Sequence, residues 1–313
     1  MARVYPSRTN NNRVHKNRIY PVATGPTPII NTVTGATGAY GLRRLKSTAT
    51  LAIRVRRSND NVEADIGFTL TGDLDQGALL THCGANSGFI VTLYDQTGNS
   101  RHFTQATSTL QPRIVNSGVV DKKNNKPTLV FDGSDDRLSG VTATLGLSNG
   151  IPGASILSVS APSAISANTT LLMLSTSVSS SSALINQGYS ATNRFRSVIR
   201  RVSSDSANIT TSAANNAFTS GTLLVHTLTI TYPTSPLVTV YKDGVSNYTG
   251  STGITAGATT TASDSVAVTL GSNTDATSPF TGSLSELIFY PSALSDPNRQ
   301  AVEANQKAYF GTA

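Results

Sequence analysis

The chain has 313 residues, of which 13% are charged and 38% hydrophobic, with no Trp and a single Cys. One cysteine, Cys83, excludes an intrachain disulfide framework and a multi-cysteine zinc site. The net charge of +7 is unevenly divided: the first 57 residues hold eleven Lys/Arg and no acid, while all seventeen acids lie from Asp60 onward.

This polarity predicts a basic arm, residues 1–38, followed by a near-neutral to acidic body, residues 39–313. The arm is rich in Asn, Pro, Arg and Thr, lacks an amphipathic period, and is expected to order only on a partner. It contains a short repeat: Arg3-Val4-Tyr5-Pro6 recurs as Arg18-Ile19-Tyr20-Pro21. Proline favours extended geometry at the residue before it, and an extended strand with a Tyr anchor and an Arg suits a sheet edge or groove. Arg3, Tyr5, Pro6, Arg18, Tyr20 and Pro21 are therefore candidate partner-anchoring residues. Chance recurrence in a tail is one alternative. Nucleic-acid binding through Arg8, Arg13, Lys16 and Arg18 is another, disfavoured because no folded nucleic-acid module accompanies it.

The body reads as strands and turns, with Thr, Val and Ile alternating between Gly/Asn/Asp clusters. Leu51–Val55 is the first strand candidate. Asp73–His82 reads as a short helix capped by Asp73. Ser87–Tyr94 is a strand closed by the turn cluster Asp95–Asn99. Strands are expected at 128–131, 155–159, 170–177, 196–202, 223–232 and 236–242, with a hairpin turn at Asp243-Gly244, and then at 265–270 and 284–290. A terminal helix opens at Asp296 and Pro297 and closes at Gly311. Many short strands joined by turns predict an all-β sandwich with this helix packed outside.

Titratable residues give few chemical motifs. His226 alternates with Leu224 and Leu228 and reads as a core histidine. Arg54, Arg56 and Arg57 face Asp60, Glu63 and Asp65 in sequence, as in a local ion-pair network. Asp132, Asp135 and Asp136 could offer oxygen ligands for calcium, but a capped polar turn is the favoured reading and no metal site is expected. No cofactor is expected. Neither a P-loop nor a G-x-S-x-G motif is present. Without an apolar leader or a run near the roughly 18 apolar residues that span a bilayer, a soluble protein made in a cytoplasm is expected, with no membrane partner.

Three blocks carry a resemblance. Residues 39–105 contain AYGLRRL, IRVRRSNDNVEADIGF, ALLTHCG and GFIVTLYDQTGNSRHFTQ; Lys126–Leu138 reads KPTLVFDGSDDRL; and TVYKDGV precedes FTGSLSELIFYPSALSDPNRQAVEANQKAYFG. Together they resemble the catalytic domain of the arabinofuranosidase B family, within the laminin-G/concanavalin-A-like group. The resemblance implies a concanavalin-A-like two-sheet jelly roll. It also implies a cysteine pair, of which Cys83 is the first position and Gly88 replaces the second. The family's retaining hydrolysis needs two carboxylates. Asp275 matches the acid/base position, but no acid occurs between Asp136 and Asp205, where the nucleophile is expected.

These readings lead to a non-enzymatic phage virion protein, a capsid decoration or head fibre. It would be assembled in the host cytoplasm, attached to virion proteins through its arm, and oligomeric with its own copies. The alternative is a tail fibre or receptor-binding module that binds a cell-surface glycan, and the third reading is a degenerate arabinofuranosidase-like hydrolase. For a glycan, Tyr189, Asn247 and Tyr248 are the candidate contacts, as an aromatic or amide in turn-rich segments.

Overall fold

The computed structural model describes residues 27–140, 150–163, 168–175, 183–190, 194–201, 205, 209–210, 218–232, 237–250, 254, 257 and 267–312. The candidate anchoring residues Arg3, Tyr5, Pro6, Arg18, Tyr20 and Pro21 lie outside them. Among the described residues, nineteen strands form one hydrogen-bonded set in which every pairing is antiparallel. The set folds into two layers.

In the back layer, Thr281–Tyr290 is central. It pairs on one side with Gly153–Pro162 and on the other with Gly38–Gly41 and Leu129–Asp132. Leu224–Thr231, Leu237–Lys242 and Val245–Gly250 continue the layer outward. The front layer runs from Arg194–Ile199 through Ala183–Ser190, Thr169–Ser175, Ala267–Leu270 and Leu138–Gly140. It continues through Phe103–Thr104 to Gly88–Leu93, Leu51–Arg57 and Glu63–Gly67. Arg113–Asn116 pairs with a strand of each layer and closes one side.

Side-chain alternation makes the layers stack. Ile185, Tyr189, Phe195 and Ile199 from the front meet Ile156, Leu224, Leu228 and Ile230 from the back in one large core. Contacts cross the gap directly: Tyr189 Oη lies 2.6 Å from Ser160 Oγ, and the Phe195 ring centroid is 4.6 Å from that of His226. A register shift between Val159 and Ser160 lets Leu284 as well as Leu287 and Phe289 face this core.

The terminal helix, Asp296–Phe310, covers the other face of the back layer. Val302 packs with Leu157, Ile288 and Tyr290; Phe310 packs with Val159, Ala161 and Val225. Ser295 occupies its N-cap, Asp296 instead pairs with Arg299, and Gly311 ends it at φ 64°. Asp75, rather than Asp73, caps the short helix Gln76–Cys83, accepting the Ala78 amide at 2.9 Å. Asp73 is used elsewhere, as acceptor for the Tyr309 hydroxyl at 2.7 Å.

The arm boundary also moves. Ile29, Ile30 and Val33, placed in the arm by charge and composition, are buried with Leu45, Leu157 and Val302. Among the described residues the packed body thus reaches back at least to Ile29, because charge polarity does not register a few apolar residues at the end of a basic segment.

Candidate functional site

The most specific sequence motif is structural. Asp95 Oδ1 accepts the amides of Ala39 and Thr97, and Oδ2 accepts the Thr97 hydroxyl and the Arg101 amide. Gln96 accepts the Leu45 amide and donates to the carbonyls of Gly41 and Arg43. Both side chains are buried, and they fasten residues 39–45 to the front layer. Arg54 and Arg57 pair with Glu63, Asp65 and Asp60 as expected. Arg56 does not: it turns inward to Gln111, Asn61 and the Ser108 carbonyl.

A further polar network lies on the face of the front layer opposite the core. Asn273 Oδ1 accepts from Thr170 Oγ1 at 2.7 Å and from Asn186 Nδ2 at 2.9 Å. Asn273 Nδ2 donates to Thr277 Oγ1 at 2.9 Å, and that hydroxyl donates to Asp275 Oδ1 at 2.5 Å. Thr170, Asn186 and Asn273 are buried, whereas Asp275 is exposed. The loop that presents Asp275 carries two non-glycine residues at positive φ, Ala276 at 63° and Ser278 at 54°. Residues held in that region cost roughly 1–3 kcal/mol each and persist where their surroundings over-determine them. Here the buried amides supply that constraint and fix the carboxylate.

Arg196 shares this outward face. It stands opposite Gly188, two residues from Asn186 in the neighbouring strand. Its guanidinium is partly buried, burial lowers its pKa, and among the described residues it has no hydrogen-bond or ion-pair partner. A partly desolvated cation without a partner is costly to keep.

Asp136 approaches the same end of the layer. It precedes Leu138–Gly140, which pairs with Ala267–Leu270 in the register Leu138↔Leu270, and Asp275 follows that latter strand. The Asp136 carbonyl also contacts Gly271: a Cβ there would fall 2.6 Å from it. Burial, opposed by a hydrogen bond from the Asp132 amide, raises the Asp136 carboxyl to about 7. The carboxylates of Asp132, Asp135 and Asp136 lie within 4.8 Å of one another. Asp132 also accepts the amides of Ser134 and Asp135, as in a capped turn.

The three expected glycan contacts are not brought together. Tyr189 lies in the strand Ala183–Ser190 rather than a loop and is 0% exposed; its hydroxyl meets Ser160 and His226. It is a core residue, and its ring offers no stacking surface. Asn247 and Tyr248 sit on the strand Val245–Gly250, where a register shift leaves Asn247 as the extra residue opposite Val240 and Tyr241, and Tyr248 packs partly onto the core. His226 is a core residue, as read from its spacing. It is fully buried, and burial together with nearby Lys242 lowers its pKa to about 3. Sequence reading missed Thr170, Asn186, Asn273 and Arg196. The available signal was an Asn-Gln pair inside an otherwise strand-like run, since Asn is depleted in strands.

The fold is that of arabinofuranosidases. An arabinofuranosidase complexed with arabinofuranosyl-α-1,2-xylobiose superposes with a TM-score of 0.66 at 17% identity, covering 90% of this chain and 64% of that one. A mutant GH54 α-L-arabinofuranosidase, soaked with 4-nitrophenyl α-L-arabinofuranoside, gives 0.64 at 16% identity with the same coverage. This chain thus spans less than two thirds of the length of those enzymes. No family model matches the sequence, and no curated protein matches it.

The expectation of a non-enzymatic body is corrected here, because 90% of the chain takes a glycoside-hydrolase fold. That expectation rested on an acid-free stretch between Asp136 and Asp205. A stretch of sequence does not show which other segments meet it, and the pairing of 138–140 with 267–270 puts the backbone before Leu138 and after Leu270 at one end of the front layer.

Proposed function

We propose that the chain is a carbohydrate-active β-sandwich that engages a glycoside on the outward face of the front layer. Asp275 and Arg196 are its polar contacts. The observation that carries this reading is the constrained 273–278 loop: three buried polar side chains hold an exposed carboxylate on a strained backbone, in a fold shared with arabinofuranosidases. Ring hydroxyls need carboxylate, amide or guanidinium partners, and the face supplies them. Calorimetric titration with arabinofuranosyl-xylobiose tests it. Binding should fall about tenfold or more in Asp275→Asn and in Arg196→Gln, a loss of about 1.4 kcal/mol each. Absence of binding to arabinofuranosides in the intact protein would overturn it.

Hydrolysis is the alternative reading, favoured by one further observation. At neutral pH a carboxyl with a pKa of about 7 can still hold a proton to give to a leaving group, and Asp136 is such a group. Asp136 and Asp275 are then the pair to test, by release of 4-nitrophenol from 4-nitrophenyl α-L-arabinofuranoside. Turnover that survives both Asp136→Asn and Asp275→Asn would remove these residues from the reaction.

The fold neighbours give no support to the virion setting, so glycan engagement stands ahead of capsid decoration. The basic segment before Pro28 is retained as the element that attaches the body to a partner surface.

A further inference from the structure

A cavity of about 560 Å³ lies away from the Asp275 face, between the start of the packed body, the loop around Thr71 and the terminal helix. It shares no lining residue with the Asp275 network. We propose that it is a separate ligand site, for a small hydroxylated oxyanion such as a sugar bearing a carboxylate or a phosphate.

Arg43, Arg44 and Lys126 line the cavity. Arg43 is already neutralised by Glu286 through contacts of 2.6 and 3.1 Å. Lys126 sits 3.8 Å above the Tyr309 ring and 3.7 Å from Asp73, a carboxylate that also accepts from the Tyr309 hydroxyl and from Thr71. Arg44 has no acid. Its guanidinium lies 5.3 Å over the Phe68 ring and makes one long bond, 3.4 Å, to the Thr69 carbonyl. Its Nε is buried and unpartnered.

The cavity therefore offers one cation with no acid partner among the described residues and another cation on a shared carboxylate. An oxyanion in the cavity pairs with the Arg44 guanidinium and with Lys126. A purely apolar ligand would leave the Arg44 guanidinium without a counter-charge. The volume falls in the roughly 300–1,000 Å³ range of small-molecule sites. An adjoining hollow of about 380 Å³ shares Thr71, Asp73 and Lys126, so a longer chain attached to the anionic sugar has room.

The test is titration of the full chain with D-glucuronate, glucose 6-phosphate and D-glucose, followed by ligand-observed NMR and calorimetry. Binding of glucuronate alone supports a carboxylate ligand, binding of the phosphate alone supports a phosphate ligand, and binding of both supports the shared chemistry. In each case glucose should bind at least about tenfold more weakly. Arg44→Gln should weaken oxyanion binding about tenfold or more while leaving arabinofuranoside binding at the Asp275 face unchanged, and Arg44→Lys should retain part of it. A thermal melt of each variant separates lost binding from lost folding, and Lys126→Gln, on a different element, gives an independent loss. Glucose binding as tight as the oxyanions, no binding of either oxyanion at about 10 mM, or full binding by a folded Arg44→Gln variant would overturn the proposal and leave a water-filled cavity.

Discussion

The segment from residue 39 to 138 and the strands from 169 to 199 carry unequal shares of motif and of candidate chemistry. The former holds the most specific sequence block, and its Asp95 and Gln96 spend their hydrogen bonds on backbone groups of residues 39–45, 97 and 101. The strands from 169 to 199 have no distinctive motif, yet they supply Thr170, Asn186 and Arg196 to the face that presents Asp275. A motif can be distinctive because a turn needs it, while a binding face can be built from ordinary residues scattered along the chain.

This comparison predicts that residues 39–138 govern stability and residues 169–199 govern binding. The largest effect is expected from Asp95→Ala, which leaves the buried amides of Ala39 and Thr97 without an acceptor. At roughly 1–3 kcal/mol for each unsatisfied group, the loss should be about 3 kcal/mol or more, read as a lower urea midpoint. If Asp95→Ala instead leaves stability intact and removes glycan binding, the assignment of the two regions is reversed.

Asn273→Ala should show the opposite balance. It frees Thr170 and Asn186 from their shared acceptor and releases the loop of Asp275. A stability loss of about 1–3 kcal/mol is expected, together with loss of arabinofuranoside binding larger than in Asn247→Ala. Equal binding losses in the two variants would break the assignment of the face.

Gly88 sharpens the stability side of the comparison. A Cβ at this position would lie 2.7 Å from Cys83 Sγ, so Gly88→Cys places two sulfurs within bonding reach. Oxidation should consume both thiols and stabilise the variant over its reduced form by at most about 2 kcal/mol, given the short loop. A thiol titration and paired melts check this. Two free thiols after oxidation would show that Val55, 3.0 Å from the same Cβ, blocks the geometry.

The smallest effect per step is in pH dependence. Burial lowers the pKa of His226 from 6.5 to about 3, so the unfolded chain binds the extra proton; its contribution is full above pH 6.5 and is lost as pH falls toward 3. Burial raises Asp136 from 3.8 to about 7, so the folded chain binds the extra proton; its contribution is full below pH 3.8 and is lost as pH rises toward 7. The two oppose each other between about pH 4 and 6.5. Asp136→Asn should remove one of them and expose a slope of about 1.4 kcal/mol per pH unit, with stability falling as the solution is acidified. An unchanged slope in denaturant melts across that range would refute the Asp136 shift.

Much of the scaffold was legible because its signals are local. The hairpin turn at Asp243 and Gly244 appears with φ of 52° and 87°, the two positive values that a tight two-residue turn needs. The strand read at 87–94 is found at Gly88–Leu93, and the terminal helix has its proline at the start and Gly311 at the end. The short strands Gly38–Gly41 and Glu63–Gly67 were not read, since each owes its form to a partner strand rather than to its own composition. Of the candidate face, only Asp275 was visible beforehand, through a family resemblance.

The sequence by itself determined that alternating apolar residues would form a sandwich and that the Asp/Gly turns would separate its strands. It also determined that a capped amphipathic helix would close the chain. These follow from steric limits on a few neighbouring residues. Tertiary structure alone decided which face of each strand is covered, and so turned Tyr189 from a proposed sugar contact into a core residue. It also joined Asn273 to Asn186 across 87 positions and to Thr170 across 103. Period-two alternation defines two faces, but only the packing of one layer on another sets their roles, and hydrogen bonds over such separations leave no local trace in the chain.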